Sequence, residues 1–453
     1  MTTVVDTPRT FGGLTMSAAM PWIIGAIVLV ILPSIFTERS AITIMNQMAI
    51  TIIFALAYNM LLGQGGMLSF GHAVYMGLGG FFCMHLLNYV EDGVIHIPLP
   101  LLPVFGGLFG LGFAIIIGSF STRNAGTVFA MISLGIGELI AACSIIIVAF
   151  FGGEEGISGD RTYATFFGIE WLSQIEIYYL IAFWLFVSAL AMYLFSRTPV
   201  GRMANAVRDN PERAEFLGYS ARWVRFYSFC ASGFFCGVAG ALFAMNFEIL
   251  TEENLNLVTS GNILLVTFLG GVGFFFGPII GAVVFTLLQT VLSLETELWT
   301  LYGGVLFVLT VMYAPGGLAG IIMMHLAPVR LGKAGLLVLP YMHTLIPGLV
   351  GVIGAACIIE TMFHIRHGAL GDNEMTLFWT TFNSHGVLPW VIMIGATVIG
   401  FGLARMGWPT LREAWAEANT LPEMDAPLAQ TRPALDPDTV NPVAEVQGED
   451  GKR

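Results

Sequence analysis

Apolar runs long enough to cross a lipid bilayer recur along most of this chain, and they constrain its fold more than any other feature. Hydrophobic residues make up 56% of the sequence and charged residues only 11%, whereas soluble domains contain about 25% charged residues. A helical crossing needs about 20 consecutive, mainly apolar residues. We therefore predict an all-α, polytopic transmembrane helix bundle of about 10–12 spans. The runs predict crossings at residues 21–37, 41–62, 70–90, 101–119, 124–150, 175–196, 224–246, 257–271, 277–294, 298–314, 336–360 and 388–405.

The positions of the basic residues predict an orientation for this bundle. With twelve crossings and both termini on one side, fifteen of the 18 Lys and Arg residues fall on that side and three on the other. Basic residues beside membrane spans are retained in the cytoplasm, so we expect both termini there. The run 257–271 is short for a crossing, and whether it spans or re-enters stays open.

A polar, arginine-rich segment, residues 197–225, separates two of the apolar runs. It holds six of the 18 basic residues, and it is too long for a tight turn and too short for a domain. Within it, Pro211 predicts the start of a short helix and Gly218 its end, because proline favours the first helical turn and glycine the C-terminus. A membrane subunit needs such a surface helix if a soluble partner acts on it. The segment is therefore predicted to be a cytoplasmic coupling loop.

Two glycine-rich stretches, residues 63–72 and 270–278, interrupt the apolar runs. Irregular backbone at membrane depth is tolerated only where protein or water surrounds it. We expect broken or re-entrant segments that line a pathway or a helix crossing, and ordinary glycine loops are the alternative. The candidate pathway or helix-packing residues in these stretches are Gln64, Ser69, His72, Gly270, Gly271 and Gly273.

Polar side chains inside the spans are few. Asn59 lies in the second span, and Glu138 is the carboxylate predicted for the middle of the fifth. A charge at that depth is costly and normally faces a cavity or a partner, whereas a hydrogen bond that packs two helices is the bland alternative. Secondary transporters usually carry several such groups, so an external energy source is favoured over an ion gradient.

Motifs for enzyme chemistry are missing from the sequence. It contains no phosphate-binding glycine loop with its lysine, no paired metal-ligand motif and no nucleophile elbow. The five cysteines fall inside apolar runs and predict buried free thiols. His364, His367 and His385 are irregularly spaced and favour plain solvated side chains over a metal site. We expect no catalytic residue, no metal, no cofactor bound by this chain and no nucleic-acid partner.

Five motifs in order resemble the permease subunits of branched-chain amino acid ABC importers, the LivM-type family, over roughly residues 40–320. They are LSFGHA at 68–73, SLGIGE at 133–138, GR with AVRDN and AEFLG within 201–218, GVAGAL at 237–242, and GGVG with GP within 270–278. The resemblance implies a transport subunit of the bacterial inner membrane, not an enzyme. Its expected cargo is branched-chain amino acids or a related small polar solute such as urea, an amide, or an organic or aromatic acid. Its expected partners are a second homologous permease, two cytoplasmic ATP-binding subunits that use the ATP, a periplasmic substrate-binding protein and the lipid bilayer.

The resemblance also assigns roles within the central loop. Glu212, Ala214 and Gly218 keep the spacing of the ABC-importer helix that docks in a groove of the ATP-binding subunit. A bulky charge at Ala214 is accordingly expected to uncouple the complex and leave the permease folded. The alternative from another class is an ion-gradient-driven secondary transporter, with Glu138 as the coupling site. The residues assigned to ATPase coupling are Arg208, Asp209, Pro211, Glu212, Ala214 and Gly218.

The sequence divides into four predicted parts. A cytoplasmic N-terminal segment (1–20) precedes the permease transmembrane domain (21–320). A C-terminal extension with two additional spans (321–412) departs from the resemblance. The acidic tail (413–453) holds nine acidic and three basic residues with several prolines, which predicts disorder.

Overall fold

A computed structural model describes residues 10–11, 14–165, 168, 171–367, 374–377 and 380–420. The chain forms two compact units, Met1–Met324 and His325–Arg453. The boundary predicted between the permease domain and the extension, at residue 321, lies four residues before the second unit begins. Most of the predicted N-terminal segment 1–20 lies outside the described residues.

The first unit is helical, with short connections. Its helices, in chain order, are α1 (Met16–Ile35), α2 (Arg39–Asn59), α3 (Ala73–Glu91), α4 (Leu102–Ser121), α5 (Gly126–Ile146), α6 (Val148–Phe151), α7 (Gln174–Arg197), α8 (Pro199–Asp209), α9 (Pro211–Phe216), α10 (Ala221–Phe247), α11 (Leu257–Gly270), α12 (Gly277–Leu287), α13 (Ser293–Glu295), α14 (Trp299–Tyr313) and α15 (Gly317–Met324). Two π-helical turns, Met60–Gln64 and Leu288–Leu292, continue α2 and α12. Single turns of 3₁₀-helix lie at Leu99–Leu101, Arg161–Tyr163 and Glu252–Asn254.

Nine helical segments of the described chain are long and apolar enough to cross a bilayer, or ten if one bent pair counts as a single span. This confirms the predicted all-α polytopic bundle. Two of the twelve predicted crossings are shorter than that length, and α14, with 15 residues, reaches it only together with the helices that follow its bend. The apolar part of α1 is Ala19–Ile35, and α11 has 14 residues, so that α11 measures about 21 Å against a hydrocarbon core of about 30 Å.

Helix α10 is the most buried span and packs along both α3 and α4. Small residues allow the backbones to meet, because Gly240 faces the carbonyl of Met76 and Gly237 faces that of Gly106. Lipid tails are as apolar as leucine, so helix association in a bilayer depends on such close packing. The motif at 237–242 therefore lies at the centre of the first unit.

The connections of this unit fall into two groups at opposite ends of its helices. Residues 63–72, 197–220, 271–277 and 314–317 contact one another, and we call their side the coupling-loop face. On the opposite face, strand β3 (Ile157–Ser158) pairs antiparallel with β4 (Ile249–Leu250), which follows α10. This grouping agrees with the predicted alternation of the spans. Another antiparallel pair, Thr10–Phe11 with Leu14–Thr15, precedes α1.

The second unit contains α16 (Leu326–Arg330) and two long helices, α17 (Gly335–His367) and α18 (Val387–Asn419). The long helices are the two additional spans predicted for the extension. They pack closely where Gly400 faces the backbone of Gly351. An antiparallel pair of strands, Glu374–Leu377 with Thr380–Asn383, lies between them in the chain.

Helix α18 continues past the predicted start of the tail at residue 413, so residues 413–419 are helical and not disordered. Two contacts within the second unit hold this end. The Trp415 indole N–H donates to the Tyr341 hydroxyl at 3.0 Å, and the Lys333 ammonium donates to the carbonyl of Thr420 at 2.9 Å. The rest of the predicted tail, 421–453, lies outside the described residues.

Candidate functional site

The coupling loop consists of α8 and α9, joined at Asn210. The side-chain oxygen of Asn210 accepts a hydrogen bond from the backbone N–H of Arg213 at 3.0 Å and caps α9. Pro211 occupies the first turn, and Gly218, at φ +87°, follows the end of the helix in the left-handed region that favours glycine. The predicted short helix, begun by proline and closed by glycine, is confirmed.

Ala214 points into the loop and away from solvent. It is 1% exposed and packs in a small core of apolar residues from α8, α9 and α10. An arginine at this position would displace that core. The expectation that a bulky charge at Ala214 uncouples the complex and leaves the permease folded stays a prediction, and it would act by disrupting this core, because the site has no room for the side chain. The other members of this core are Ala204, Val207, Ala221 and Val224.

The outward surface of α9 and the turn after it combines carboxylates with two large apolar side chains. Glu212 and Glu215 are exposed, Phe216 is 90% exposed and Leu217 is 67% exposed. Phe216 and Leu217 are not among the predicted coupling residues. The available signal was an adjacent pair of large apolar residues in an otherwise polar loop. We call these four residues the docking surface.

Arg208, near the end of α8, connects the loop to the first glycine-rich stretch. Its guanidinium donates a hydrogen bond to the carbonyl of Gly63 and, through Nε, another to Asp209 at 2.9 Å. The aliphatic part of the same side chain lies over Gly66, where an added Cβ would come within 2.6 Å of the Arg208 Cγ. Gly66 also has φ +63°. Glycine is thus required here both for the backbone conformation and for the contact with arginine.

The two glycine-rich stretches, 200 residues apart, meet on this face. The Asn59 side-chain amide donates to the carbonyl of Phe274 at 3.3 Å. A Cβ at Gly63 would lie 2.6 Å from the carbonyl oxygen of Val272. Gln64, the last residue of the first π-helical turn, is also buried here, and its side-chain oxygen has no hydrogen-bond partner among the described residues.

The second stretch is further packed against the end of α14. Gly271 has φ +114° and faces the carbonyl of Gly316, while Gly270 faces the carbonyl of Gly277. Gly273 is exposed, and an added Cβ there would meet open space. Of the three predicted glycines, Gly270 and Gly271 therefore lie at a close backbone crossing and Gly273 lies at the tip of the turn.

The LSFGHA motif packs against the SLGIGE motif. The backbone N–H of Phe70 donates to the Ser133 hydroxyl at 3.1 Å, and Gly71 faces the carbonyl of Ser133 so closely that no Cβ would fit. Ser69 is fully buried, and its carbonyl accepts a hydrogen bond from the Tyr58 hydroxyl at 2.9 Å. The two motifs are thus one contact between the start of α3 and the middle of α5.

His72 is fully buried where α2, α3 and α10 meet. Its Nε2 lies 2.8 Å from the Ser232 hydroxyl, which itself donates to the carbonyl of Ala57 at 2.5 Å. Because the serine proton is used in that bond, His72 must donate through Nε2, which makes Nδ1 an acceptor. That atom has no partner among the described residues. Aromatic rings of Phe54, Tyr58 and Tyr75 surround the imidazole.

Glu138 lies in the middle of α5, on the exposed side of the helix. The described residues offer it no hydrogen bond and no ion pair. Its neighbours on the same side are Met131, 72% exposed, Leu139, 60% exposed, and Gly135, which has open space around it. The side chain therefore does not bind two helices of the described chain together.

A buried arginine on the opposite face, Arg161, is a structural element that the basic-residue pattern did not predict, since that pattern placed it only outside the cytoplasm. Arg161 is 5% exposed and donates to the carbonyls of Trp171 and Met245, both at 3.0 Å. It also lies 3.7 Å from the Glu248 carboxylate. Arg161 thereby fastens the loop 152–173 to the C-terminal end of α10, where helix carbonyls lack intrahelical partners.

The family model described as "Branched-chain amino acid transport system / permease component" matches residues 40–315, more than half of the chain. The chain belongs to this family. The matched range contains both glycine-rich stretches, the coupling loop and Glu138, and it ends before the second unit begins. The resemblance that the five motifs indicated is confirmed, and this protein is a multi-pass membrane permease.

Known relatives of this permease differ in the cargo that their names state. It is 25% identical to the high-affinity branched-chain amino acid transport system permease protein LivM of Escherichia coli, over 66% of this chain and 74% of the relative. It is 26% identical to the galactose/methyl galactoside import permease protein MglC of Salmonella typhimurium, over 57% of this chain and 80% of the relative. It is 24% identical to a probable branched-chain amino acid transport permease protein LivH of Methanocaldococcus jannaschii, over 56% of this chain and 83% of the relative. No solved structure matches the chain.

Proposed function

We propose that this permease is a membrane-spanning subunit of an ATP-driven ABC importer. It works with a second homologous permease, two cytoplasmic ATP-binding subunits and a periplasmic substrate-binding protein. Family membership supports the transport role. ATP is bound and hydrolysed by the partner subunits, and this chain performs no chemistry.

The observation that carries the proposal is the hydrogen bond from Arg208 to Gly63. A loop helix without a coupling role would not be expected to contact a break in a membrane span. Here one side chain joins the helix that precedes the docking surface to the end of α2, and α2 in turn contacts the second stretch through Asn59. A displacement of the loop is therefore transmitted to the first break by Arg208 and to the second break through Asn59.

The mechanism is alternating access. Closure of the ATP-binding subunits displaces α8 and α9, which move as one body because Ala214 and its neighbours pack them together. Arg208 transmits the displacement to the π-helical turn Met60–Gln64. Single π-helical turns occur often at functional sites, and helix ends with irregular geometry absorb such movement more readily than regular helix.

The protein resides in the bacterial inner membrane with the coupling-loop face and both termini in the cytoplasm. The fifteen-to-three distribution of basic residues supports this orientation. The cargo is branched-chain amino acids or a related small polar solute, and the binding protein shares in its selection.

Two measurements test the proposal. Uptake of radiolabelled L-leucine, urea and galactose should collapse when ATP is depleted and survive an uncoupler, for whichever probe is taken up. In the assembled complex, Phe216→Glu should abolish co-purification of the ATP-binding subunits, because a carboxylate replaces the exposed ring. Leu172→Glu is the matched control, since Leu172 is 70% exposed on the opposite face.

Unchanged co-purification and uptake in Phe216→Glu would remove the docking assignment. Uptake that follows the ion gradient while ATP is present would instead establish the secondary transporter.

A further inference from the structure

A cavity of about 310 Å³ lies among α2, α3, α10, α11 and α12, with the 3₁₀ turn Glu252–Asn254 on its border. Its lining comes from the middle of α2, residues 47–54, and from the ends of α10 and α12 that lie toward the opposite face. The glycine-rich stretches lie toward the other end of α2, α10 and α12, and Phe54 of the lining also stacks against His72 at the end of the first stretch. No predicted site residue lines it.

Four side-chain amides line this cavity. The Asn254 oxygen accepts a hydrogen bond from the Thr251 backbone N–H at 3.1 Å, and the other three are not used in this way. Gln47 comes from α2, Asn262 from α11 and Gln289 from the π-helical turn that continues α12. Each is partly buried, and none makes a side-chain hydrogen bond to any described residue. This differs from Asn46, one residue earlier, whose amide donates to Asn246 at 2.9 Å and joins α2 to α10. An amide in a membrane span normally bonds a neighbouring helix, so three that converge unpaired on one space indicate a site for a hydrogen-bonding solute.

The remaining walls define the chemical class of that solute. Phe54, Phe243, Phe247 and Phe285 contribute aromatic surface, which favours an apolar group or an ammonium over a ring face. Glu253, exposed on the 3₁₀ turn, is the charged residue of the lining, and the described residues of the lining include no lysine, arginine or histidine. A solute with net negative charge would pass the Glu253 carboxylate and would find no cationic side chain among the described residues of the lining.

We propose that this cavity is a solute-binding chamber that selects small solutes without net negative charge, bearing hydrogen-bonding groups and an apolar part. Amino acids with apolar side chains and simple amides fit this description, and organic or aromatic acids do not. The assignment of the chamber as a station of transport rests on the proposed function and narrows its cargo.

Helix α2 connects this chamber to the coupling loop. Gln47 lines the chamber, and Gly63, sixteen residues later, accepts the hydrogen bond from Arg208. At 1.5 Å per residue these positions are about 24 Å apart along the helix. One continuous helical element, α2 with its π-helical turn, thus extends from the chamber to the residue that the loop holds.

Cysteine reactivity in native membranes that contain the assembled complex tests the chamber. Cys143→Ser and Cys357→Ser remove the two partly exposed thiols, while Cys83, Cys230 and Cys236 stay buried. In this background, Asn262→Cys and Gln289→Cys are treated with a trimethylammonium or a sulfonate methanethiosulfonate reagent. Each rate is divided by that reagent's rate with a free thiol. Val308→Cys, 51% exposed on the apolar helix α14, is the control outside the chamber.

Both chamber cysteines should react, and the normalised rate of the cationic reagent should exceed that of the anionic one by about tenfold, the lower end of electrostatic steering. Glu253→Gln should bring the two rates together, and saturating L-leucine should slow labelling whereas benzoate should not. Rates no higher than at Val308→Cys, or no preference for the cation, overturn the chamber. If benzoate slows the labelling of the chamber cysteines, or if neither benzoate nor L-leucine does, the proposed class of solute is wrong. These rates need no ATP, so they separate failure of the chamber from failure of the ATP-driven assignment.

Discussion

The Arg208 guanidinium donates a hydrogen bond to the carbonyl of Gly63, a residue 145 positions earlier in the chain. The bond joins an exposed loop to a π-helical break in a membrane span, and the arginine stem covers Gly66 in the same break. Both partners come from segments that the sequence marked separately, one for coupling and one for an interrupted span. Their contact links the coupling loop mechanically to the interrupted span.

Loss of the Arg208 side chain should uncouple transport from ATP hydrolysis. A hydrogen bond to a charged group contributes about 1.5–3 kcal/mol, so in Arg208→Ala the loop and the break should move independently. ATP hydrolysis by the complex should persist while uptake falls by about tenfold or more. Arg202→Ala is the control, because Arg202 is exposed and makes no side-chain hydrogen bond to a described residue. Parallel loss of both activities in Arg208→Ala, or no loss in either, would contradict this role.

The contact between α10 and α3 at Gly240 should not tolerate the addition of a single methyl group. A Cβ at Gly240 would overlap the carbonyl of Met76, which is backbone and cannot rotate away. We expect Gly240→Ala to lower the free energy of unfolding by about 1–3 kcal/mol or more. Gly261→Ala, in α11 and with open space around it, should raise it by as much as about 1 kcal/mol through helix propensity. Thermal unfolding in detergent compares the two, and equal midpoints would refute the packing argument.

Replacement of Glu138 should affect the assembled transporter and leave the isolated chain intact. Its side chain is exposed and unpaired within the described chain, so Glu138→Leu should change the stability of the purified subunit by less than about 0.5 kcal/mol. Uptake should be retained in Glu138→Gln, which keeps an acceptor and adds donors, and lost in Glu138→Leu. Uptake by both variants is measured at two external pH values. Equal failure of both, with uptake driven by the pH gradient, would favour the secondary transporter.

The buried arginine of the opposite face should stabilise its loop. Arg161→Leu leaves the carbonyls of Trp171 and Met245 without a donor, at about 1–3 kcal/mol for each buried group. Limited proteolysis within residues 152–173 should therefore accelerate. Arg39→Leu, at an exposed arginine on the same face, should leave the cleavage rate unchanged. Equal rates in wild type and Arg161→Leu would show that other contacts hold the loop.

Acid should loosen the same loop. Hydrogen bonds from the Thr162 hydroxyl and backbone N–H, at 2.6 and 2.8 Å, lower the pKa of Asp160 below its ordinary value. A lowered pKa means that the ionised carboxylate stabilises the folded loop above the unfolded pKa and that this contribution is lost as pH falls through the folded pKa. Proteolysis in the loop should accelerate with acid in the wild type more than in Asp160→Asn. An identical pH dependence in the two proteins would contradict the assignment.

Local and compositional features of the sequence determined the architecture. A backbone inside a bilayer must satisfy its hydrogen bonds within each span, so apolar length alone predicts helices and their number closely. The limits appear at α1 and α11, where the apolar stretch of α1 and the whole of α11 are shorter than a crossing. The short helix α9 was also predictable, because Pro211, the Asn210 cap and Gly218 act on neighbouring backbone. The end of α18 was not, since the Trp415–Tyr341 and Lys333–Thr420 contacts join residues 74 and 87 positions apart.

Tertiary structure alone decided how the marked residues are used. Ala214 has the right spacing for docking, yet its side chain points into a core that α8 and α10 complete. Glu138 was marked as a costly charge, but only the packing of α5 shows that it faces outward. Gln47 and Asn46 are adjacent amides with identical sequence signals, and the position of α10 gives Asn46 a partner while Gln47 lines a cavity. In each case the partners are remote in the chain, so hydropathy and spacing do not predict which side chains the fold brings into contact.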